Sequence, residues 1–536
     1  MKGDFTRNTF DAKNFFNRVL MQQGRVTLDA DFNEQVDILL NYIRTVARDL
    51  IGPYAAPSED PGFKISADKD GISVSAGRYY VDGILVENKK LCAFTAQPDY
   101  LIPADDPVLK ISEKKDQWFW IYLDVWERYL TSIEVEGIRE TALGGPDTCT
   151  RTQYVWQVKA MPVNPGDFGY YGYGGYGAYG GYGYPYPYNY PDFAALCPVP
   201  LDHLVNLSQI QLAARVDPGK QNTDACVTSP DSKYVGVENH LYRVEIHRGG
   251  SAGTATFKWS RDNGSVVTAW LGTNSSESQG VQSNDLVVAN TRGFSAGCWV
   301  ELTDEQTDLQ ESPGILLKVA KVGGGVLSLD SGSIPASGLP DPTKLRHPKV
   351  RRWDQTEKGN IKLDEGAVKV VETPIVTDVD HAGWINLEDG IQIAFAQMPF
   401  GVTGKYRPGD YWLIPARVPT GAIEWPPAEQ AGRMSLVAPS GVLHHYAPLA
   451  FVGWENDNLQ AHSCLCEFAP INSCFRRKTL AFGADNLSTQ PRVVEATAPA
   501  PATLDATSMM SAAAAPEPAP PSKKVVRRAR AKKQPK

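Results

Sequence analysis

No apolar run in this 536-residue chain reaches the roughly 18 residues that a membrane helix needs. The opening residues lack one too. Asp4, Arg7, Asp11, Lys13 and Arg18 interrupt every apolar stretch there. An export signal, with its apolar core of about 7–15 residues, is therefore not expected. Synthesis in the cytoplasm follows, with an extracellular location only as part of a released particle. Cysteine is also scarce, eight in all, which excludes a disulfide scaffold. Cys92, Cys149, Cys197, Cys226 and Cys298 are scattered and are expected to be reduced, buried and inert. Charged residues make up 21%, below the usual figure of about 25%.

Reaction motifs are missing as well. There is no Gly-x-Ser-x-Gly, no Walker loop and no His-Glu-x-x-His. Gly323-Gly324-Gly325 lacks the lysine and helix of a phosphate cradle. No repeat of fixed period is visible, so a solenoid or propeller is not indicated. No catalytic residue and no cofactor is expected.

What charge there is lies unevenly. The formal total is −8, yet the last fourteen residues carry eight basic side chains, among them Lys523, Lys524, Arg527 and Arg528. Without those eight positive charges the rest of the chain stands near −16. Such a body does not favour specific nucleic-acid binding, which needs clustered positive charge. The basic run reads as a solvated end, as an adhesive for an anionic surface, or as a targeting signal.

The first fifty residues read as a helical hairpin. Asp11 can cap a helix through Phe15, Phe16, Val19 and Leu20 that ends at Gly24. Asp31, with Glu34 three residues on, can cap a second. Phe32, Val36, Leu39, Leu40, Ile43, Ala47 and Leu50 then recur at helical spacing, and Gly52-Pro53 stops the run. This face either packs on its own domain or docks on a neighbouring subunit.

Beyond Pro53 the period becomes that of strands. Ile72-Ser73-Val74-Ser75 alternates, and Asp82-Gly83 is a hairpin turn. The run from Trp118 to Trp126 is a strand rich in aromatics, and Thr152–Val158 is another. Arg261-Asp262-Asn263-Gly264 is a second hairpin signal. The fold class expected is mainly β, with several small antiparallel sandwiches or barrels after the N-terminal helices. Seven blocks follow from these signals. They are a docking module (1–53), a β domain (54–163), a Gly/Tyr/Pro-rich insert (164–194), a β domain (195–280), a small inserted barrel or sandwich (281–345), a further β domain (346–480) and a disordered Ala/Pro-rich, basic tail (481–536). The insert, with Tyr173, Tyr176 and Tyr179, cannot build a core. It is a flexible loop, or a tether whose rings offer contacts to sugars or proteins.

Three constellations deserve weighing. His462, Cys464, Cys466 and Cys474 are soft metal donors, although Cys-x-Cys is not the spacing of a zinc knuckle. Arg351-Arg352-Trp353-Asp354 suits either an anion grip or an arginine stacked on tryptophan and paired with the aspartate. Glu301, Asp304, Glu388, Asp389 and Asp410 hold no spacing that selects a hydrolytic pair.

Several phrases taken together carry a resemblance. They are Met1-Lys2-Gly3-Asp4-Phe5-Thr6-Arg7, Met21-Gln22-Gln23-Gly24-Arg25-Val26, Leu123-Asp124-Val125-Trp126-Glu127-Arg128, Leu143-Gly144-Gly145-Pro146-Asp147-Thr148, the run from Glu238 to His247, Phe257-Lys258-Trp259-Ser260-Arg261 and Gly409-Asp410-Tyr411-Trp412. In this order, over roughly residues 1–455, the chain resembles a bacterial family of uncharacterised function. Members of that family tend to sit among genes for phage tails and phage-tail-like contractile injection systems. The resemblance implies a structural part of such a particle, at its baseplate or fibre end, whose partners are the other subunits. It brings no catalytic residues. The insert and the basic tail are expected to fall outside it. The alternatives are a module that binds a cell-surface glycan through Tyr and Trp, and a polysaccharide hydrolase or injected cargo.

Overall fold

The structure, a computed structural model, describes residues 1–69, 71–163, 197–198, 210–218, 233–278, 281–357, 361–373, 383–396, 405–428 and 433–469. It is mainly β, as the alternation predicts.

One long helix, α1 (Asp29–Ile51), precedes the strands. Its interior holds neither Gly nor Pro, and Asp29 and Asp31 sit where they favour the positive end of the helix dipole. Asp31 is in the first turn rather than at the cap, and its Oδ2 accepts from the Leu28 N–H at 3.3 Å. Gly52 ends the helix with φ 97°, a conformation that a side chain resists, and its N–H donates to the Arg48 carbonyl. The expected first arm of the hairpin is not there. Asp11 does cap, but only the single 3-10 turn Ala12–Asn14, because Phe15 turns left-handed at φ 54°. The chain then runs without regular structure to Leu28.

The aromatic strand Trp118–Leu130 pairs along its whole length with Arg151–Val163, from Trp118 opposite Val163 to Leu130 opposite Arg151. Its other neighbour is His445–Glu455, three hundred residues on, which also pairs with Asn458–Ser463. Two small sheets share a core with this one. One of them contains the hairpin Gly77–Val81 and Ile84–Asn88, whose Asp82-Gly83 turn has positive φ at both residues, as expected.

A sandwich follows. Its first sheet centres on Thr256–Ser260, His240–Arg248 and Tyr411–Arg417, and its second on Gln211–Val216 and Ile391–Ala396. Phe395 of the second sheet meets Phe257 (5.1 Å) and Trp412 (5.8 Å) of the first at tilted and edge-on angles. Inserted in sequence between the early and late strands of both sheets is a closed six-stranded barrel, in the order Val267–Ser278, Val281–Val288, Val326–Leu329, Ile315–Gly323, Trp299–Thr303 and Lys349–Trp353. Closure leaves no sheet edge unpaired.

The sheets therefore cross the linear blocks. The barrel takes strands from either side of 281–345. The aromatic sheet takes strands from near 450, and the sandwich draws on both 195–280 and 346–480. Asn263-Gly264 is the left-handed turn expected, but it does not close a hairpin. Thr256–Ser260 stays in the sandwich while Val267–Ser278 enters the barrel. Met1–Ile471 forms one compact unit. The expected insert and basic tail lie outside the described residues.

Candidate functional site

Helix α1 is laid on the body the opposite way round from an ordinary surface helix. Numbered as heptads with Val36, Ile43 and Leu50 at a, the d positions are Phe32, Leu39 and Val46. These six recur at spacings of four and three, and all are exposed: Phe32 by 67%, Leu39 by 50%, Ile43 by 59% and Leu50 by 65%. The opposite face holds the buried Ala30 and Ile38, together with Glu34 and Arg44. Glu34 accepts from Thr9 Oγ1 at 2.6 Å. The Arg44 guanidinium donates to the Tyr154 hydroxyl and lies over its ring at 5.4 Å, with Glu127 at 4.0 Å. The turn at Gly83 rests on the helix backbone. A Cβ there would lie 2.2 Å from the Arg44 carbonyl oxygen. Beside the helix runs the segment before it, where the Val19 N–H donates to Gln35 Oε1 and Phe16, Leu20 and Met21 are exposed.

Of the sequence-predicted residues, Phe32, Val36, Leu39 and Ile43 thus share one outward seam, with Leu40 and Ala47 half-buried at its margin. The reading in which this face packs on its own domain is overturned. Periodicity located the face and could not say which way it pointed.

A second assembly escaped the sequence reading. Five of the seven phrases that carry the resemblance, all but those beginning at Met21 and Leu143, place residues around a cavity of ≈140 Å³ where barrel, sandwich and aromatic sheet meet. Glu301, on the barrel strand Trp299–Thr303, accepts from Lys258 Nζ at 2.5 Å, from the Gly314 N–H at 3.1 Å and from Trp353 Nε1 at 2.8 Å. Glu245, in the sandwich, takes Arg243 at 2.6 Å, Lys2 at 3.0 Å and Lys258 at 3.3 Å. Lys258 also stands over the Trp353 ring at 4.5 Å, and Arg243 over that of Tyr411 at 3.6 Å. Gly3 and Asn263 exchange hydrogen bonds, which fastens the first residues into the cluster.

Burial alone would raise both carboxyls, but the neighbouring cations outweigh it. Lys258 and Lys2 hold Glu301 at about 2, and Lys2 and Arg243 hold Glu245 well below the carboxylate range. Burial, then Lys258, pushes His247 down to about 3, so its ring is neutral. The carboxylate oxygens are spent on cations and N–H groups of this chain. The cluster ties the barrel to the sandwich and to the first residues of the chain, and its parts are too far apart in sequence for spacing to show them.

Further charged pairs close the same junction. Arg128 meets Glu305 at 2.7 Å, and Lys349 reaches Glu134 at 2.6 Å and Asp308 at 2.5 Å. His444 bridges Asp124 (2.7 Å) and Glu311 (2.9 Å). Burial would lower His444, yet those two carboxylates raise it to about 9.

The remaining candidates separate. Cys464 is joined to Cys197 in a disulfide with Cα atoms 5.5 Å apart, so it is not a free thiolate for a metal, and Cys197 is not reduced. His462 Nε2 faces Glu455 at 2.7 Å, Cys466 is exposed, and Cys474 lies outside the described residues, as does Cys226. Cys149 is exposed rather than buried. Among the described residues no three His, Cys, Asp or Glu side chains are placed to hold a metal ion. Arg352 pairs with Asp354 at 3.2 Å, the local pairing expected, but the cation on Trp353 is lysine. The carboxylates disperse: Asp304 caps the short helix Glu305–Leu309, while Glu388 accepts from Arg261 and Tyr242. Among the described residues no helix is long and apolar enough to cross a membrane.

No curated protein and no solved structure matches the chain. A family model does, described as a family of unknown function (DUF6519), over residues 1–165 and 201–536. The gap in that match takes in most of the Gly/Tyr insert. The basic tail, expected to fall outside the family, lies within it. By a match that spans most of its length, this chain belongs to the DUF6519 family of unknown function.

Proposed function

We propose that the chain is a non-enzymatic structural subunit of a larger assembly, docked on a neighbour through the outward seam of α1, and that the assembly is a phage-tail-like contractile particle. The observation that carries the docking is the inverted helix. A seam of six apolar side chains facing water costs hydration free energy at every position unless something covers it. The particle itself is suggested by the sequence phrases quoted above. The charged cluster supports a structural role, because its groups neutralise one another.

The test is mass spectrometry of purified sheath-containing particles from the native host. The wild-type chain is expected at fixed stoichiometry, and the double variant Leu39→Asp/Ile43→Asp is expected to be lost from them. Normal incorporation of the double variant would sink the docking role. Absence of the wild-type chain from complete particles would sink the assignment to the particle.

A further inference from the structure

We infer that the occupant of the α1 seam is the α1 helix of a second copy of this chain, paired in parallel as a two-stranded coiled coil. The inference deepens the docking reading and rests on it. A 4-3-4-3-4 spacing of apolar residues is the seam that a second helix of the same period fills by knobs-into-holes packing. A flat or β-sheet partner has no such period. At 23 residues α1 spans about three heptads, or roughly 35 Å.

The flanking positions say which helix. In coiled coils, charges at e and g choose the partner. Here e holds Asn33, Leu40 and Ala47, and g holds Gln35, Tyr42 and Asp49. Only Asp49, in the last turn, is charged. No charge code at e and g selects a foreign helix, and the like charges that a second copy laid alongside meets are confined to the helix ends, Asp29 at a in the first turn and Asp49 at g in the last. Of the other charges of the helix, Asp37 and Arg44 lie on the side that faces the body, while Asp29 and Arg48 are exposed. Two bodies therefore stand on the outer sides of the paired helices, clear of the seam.

The core residues favour the parallel, two-stranded form. In the middle of the seam, β-branched Val36 and Ile43 at successive a positions flank Leu39 at d, the combination that suits two parallel strands, with Phe32 and Val46 at the outer d positions. The pairing is isologous, so it closes on itself and does not propagate. Exposed Phe16, Leu20 and Met21 lie beside the helix and widen the apolar surface that the second copy covers.

The experiment uses the full chain. Light scattering with sedimentation is expected to give a mass twice the 58.6 kDa of one chain, dissociating on dilution. Leu39→Asp/Ile43→Asp is expected to give a single-chain mass with an unchanged circular-dichroism spectrum. In a separate Leu39→Cys variant, mild oxidation is expected to link the two substituted positions to each other, identified by mass spectrometry of the linked peptide. A single-chain mass for the wild type at every concentration, or a mass other than two chains, overturns the inference. So does a dimer that survives the double Asp variant. A dimer without the cross-link overturns the parallel register. If the wild type is monomeric while the double variant is still lost from particles, self-pairing fails and docking stands. If the wild type is dimeric while incorporation is unaffected, docking on the particle fails and self-pairing stands.

Discussion

Helix α1 and the charged junction are built from opposite materials in opposite places. In α1 the apolar side chains point to water and Arg44 points to the body. At the junction Lys258, Glu245 and Glu301 are almost wholly buried, each against opposite charge. Between Phe15 and Leu50 lie thirteen of the twenty-seven large apolar residues exposed among the described residues, so the imbalance belongs to one short region rather than to the surface in general. Burial of ion pairs is not a cheap way to stabilise a protein. It fixes geometry, here of the barrel against the sandwich and the first residues of the chain. Exposure of an apolar seam stabilises nothing within one chain and becomes favourable only in an assembly. One region therefore holds the molecule's shape, and the other is what that shape presents.

The largest effect is expected at the junction. Lys258→Met removes the cation shared by Glu245 and Glu301 and leaves two buried carboxylates undercompensated. The loss should be about 3–5 kcal/mol, read as a lower urea midpoint. A midpoint close to wild type would mean that the junction is not a lock, and the contrast with α1 would collapse. The next effect is a pH dependence. His444 has its pKa raised to about 9 in the fold, above the ordinary value near 6.5. Protonated histidine then favours folding. That stability is fully present below about pH 6.5 and is lost as pH rises through about 9, to the extent of about 3 kcal/mol. His444→Gln should flatten the profile over this window. An equally steep decline in that variant would place the titration elsewhere.

These two predictions rest on contacts that a linear reading could not supply. Local devices were visible: the Asp82-Gly83 turn, the stop at Gly52 and the alternation of Ile72–Val74 need only neighbours in sequence. Asp11 was a true cap, but a cap does not lengthen a helix when Phe15 leaves the helical conformation. Asn263-Gly264 was a true turn, yet whether the next strand pairs back or enters a barrel depends on partners near 350. The lock at Glu301 is assembled from the first residues, the 240s, the 250s and the 350s, and the Cys197–Cys464 disulfide closes across 267 residues. In the candidate site, period was readable and direction was not. The same spacing of Phe32, Val36, Leu39 and Ile43 describes a face turned inward or outward.

Smaller effects sharpen the contrast at the helix itself. Arg44→Ala removes the hydrogen bond and ring contact to Tyr154 and should loosen α1 from the body by about 1 kcal/mol. Hydrogen exchange should rise in the α1 amides and not in the strand Trp118–Leu130. A rise in both would make the helix part of the core's cooperative unit rather than an attached element.

The smallest effect is expected on the seam, and its smallness is the point. Leu39→Gln with Ile43→Gln exchanges exposed apolar groups for exposed polar ones. In dilute protein the stability should change by less than about 0.5 kcal/mol, as for other surface substitutions. At high concentration the wild type gains whatever pairing contributes, because association stabilises the folded state by mass action. The two proteins should then diverge as concentration rises, with only the wild-type midpoint moving. A large loss already present in dilute protein would show that the seam packs within its own chain. A midpoint independent of concentration in both would show that a second copy does not cover it.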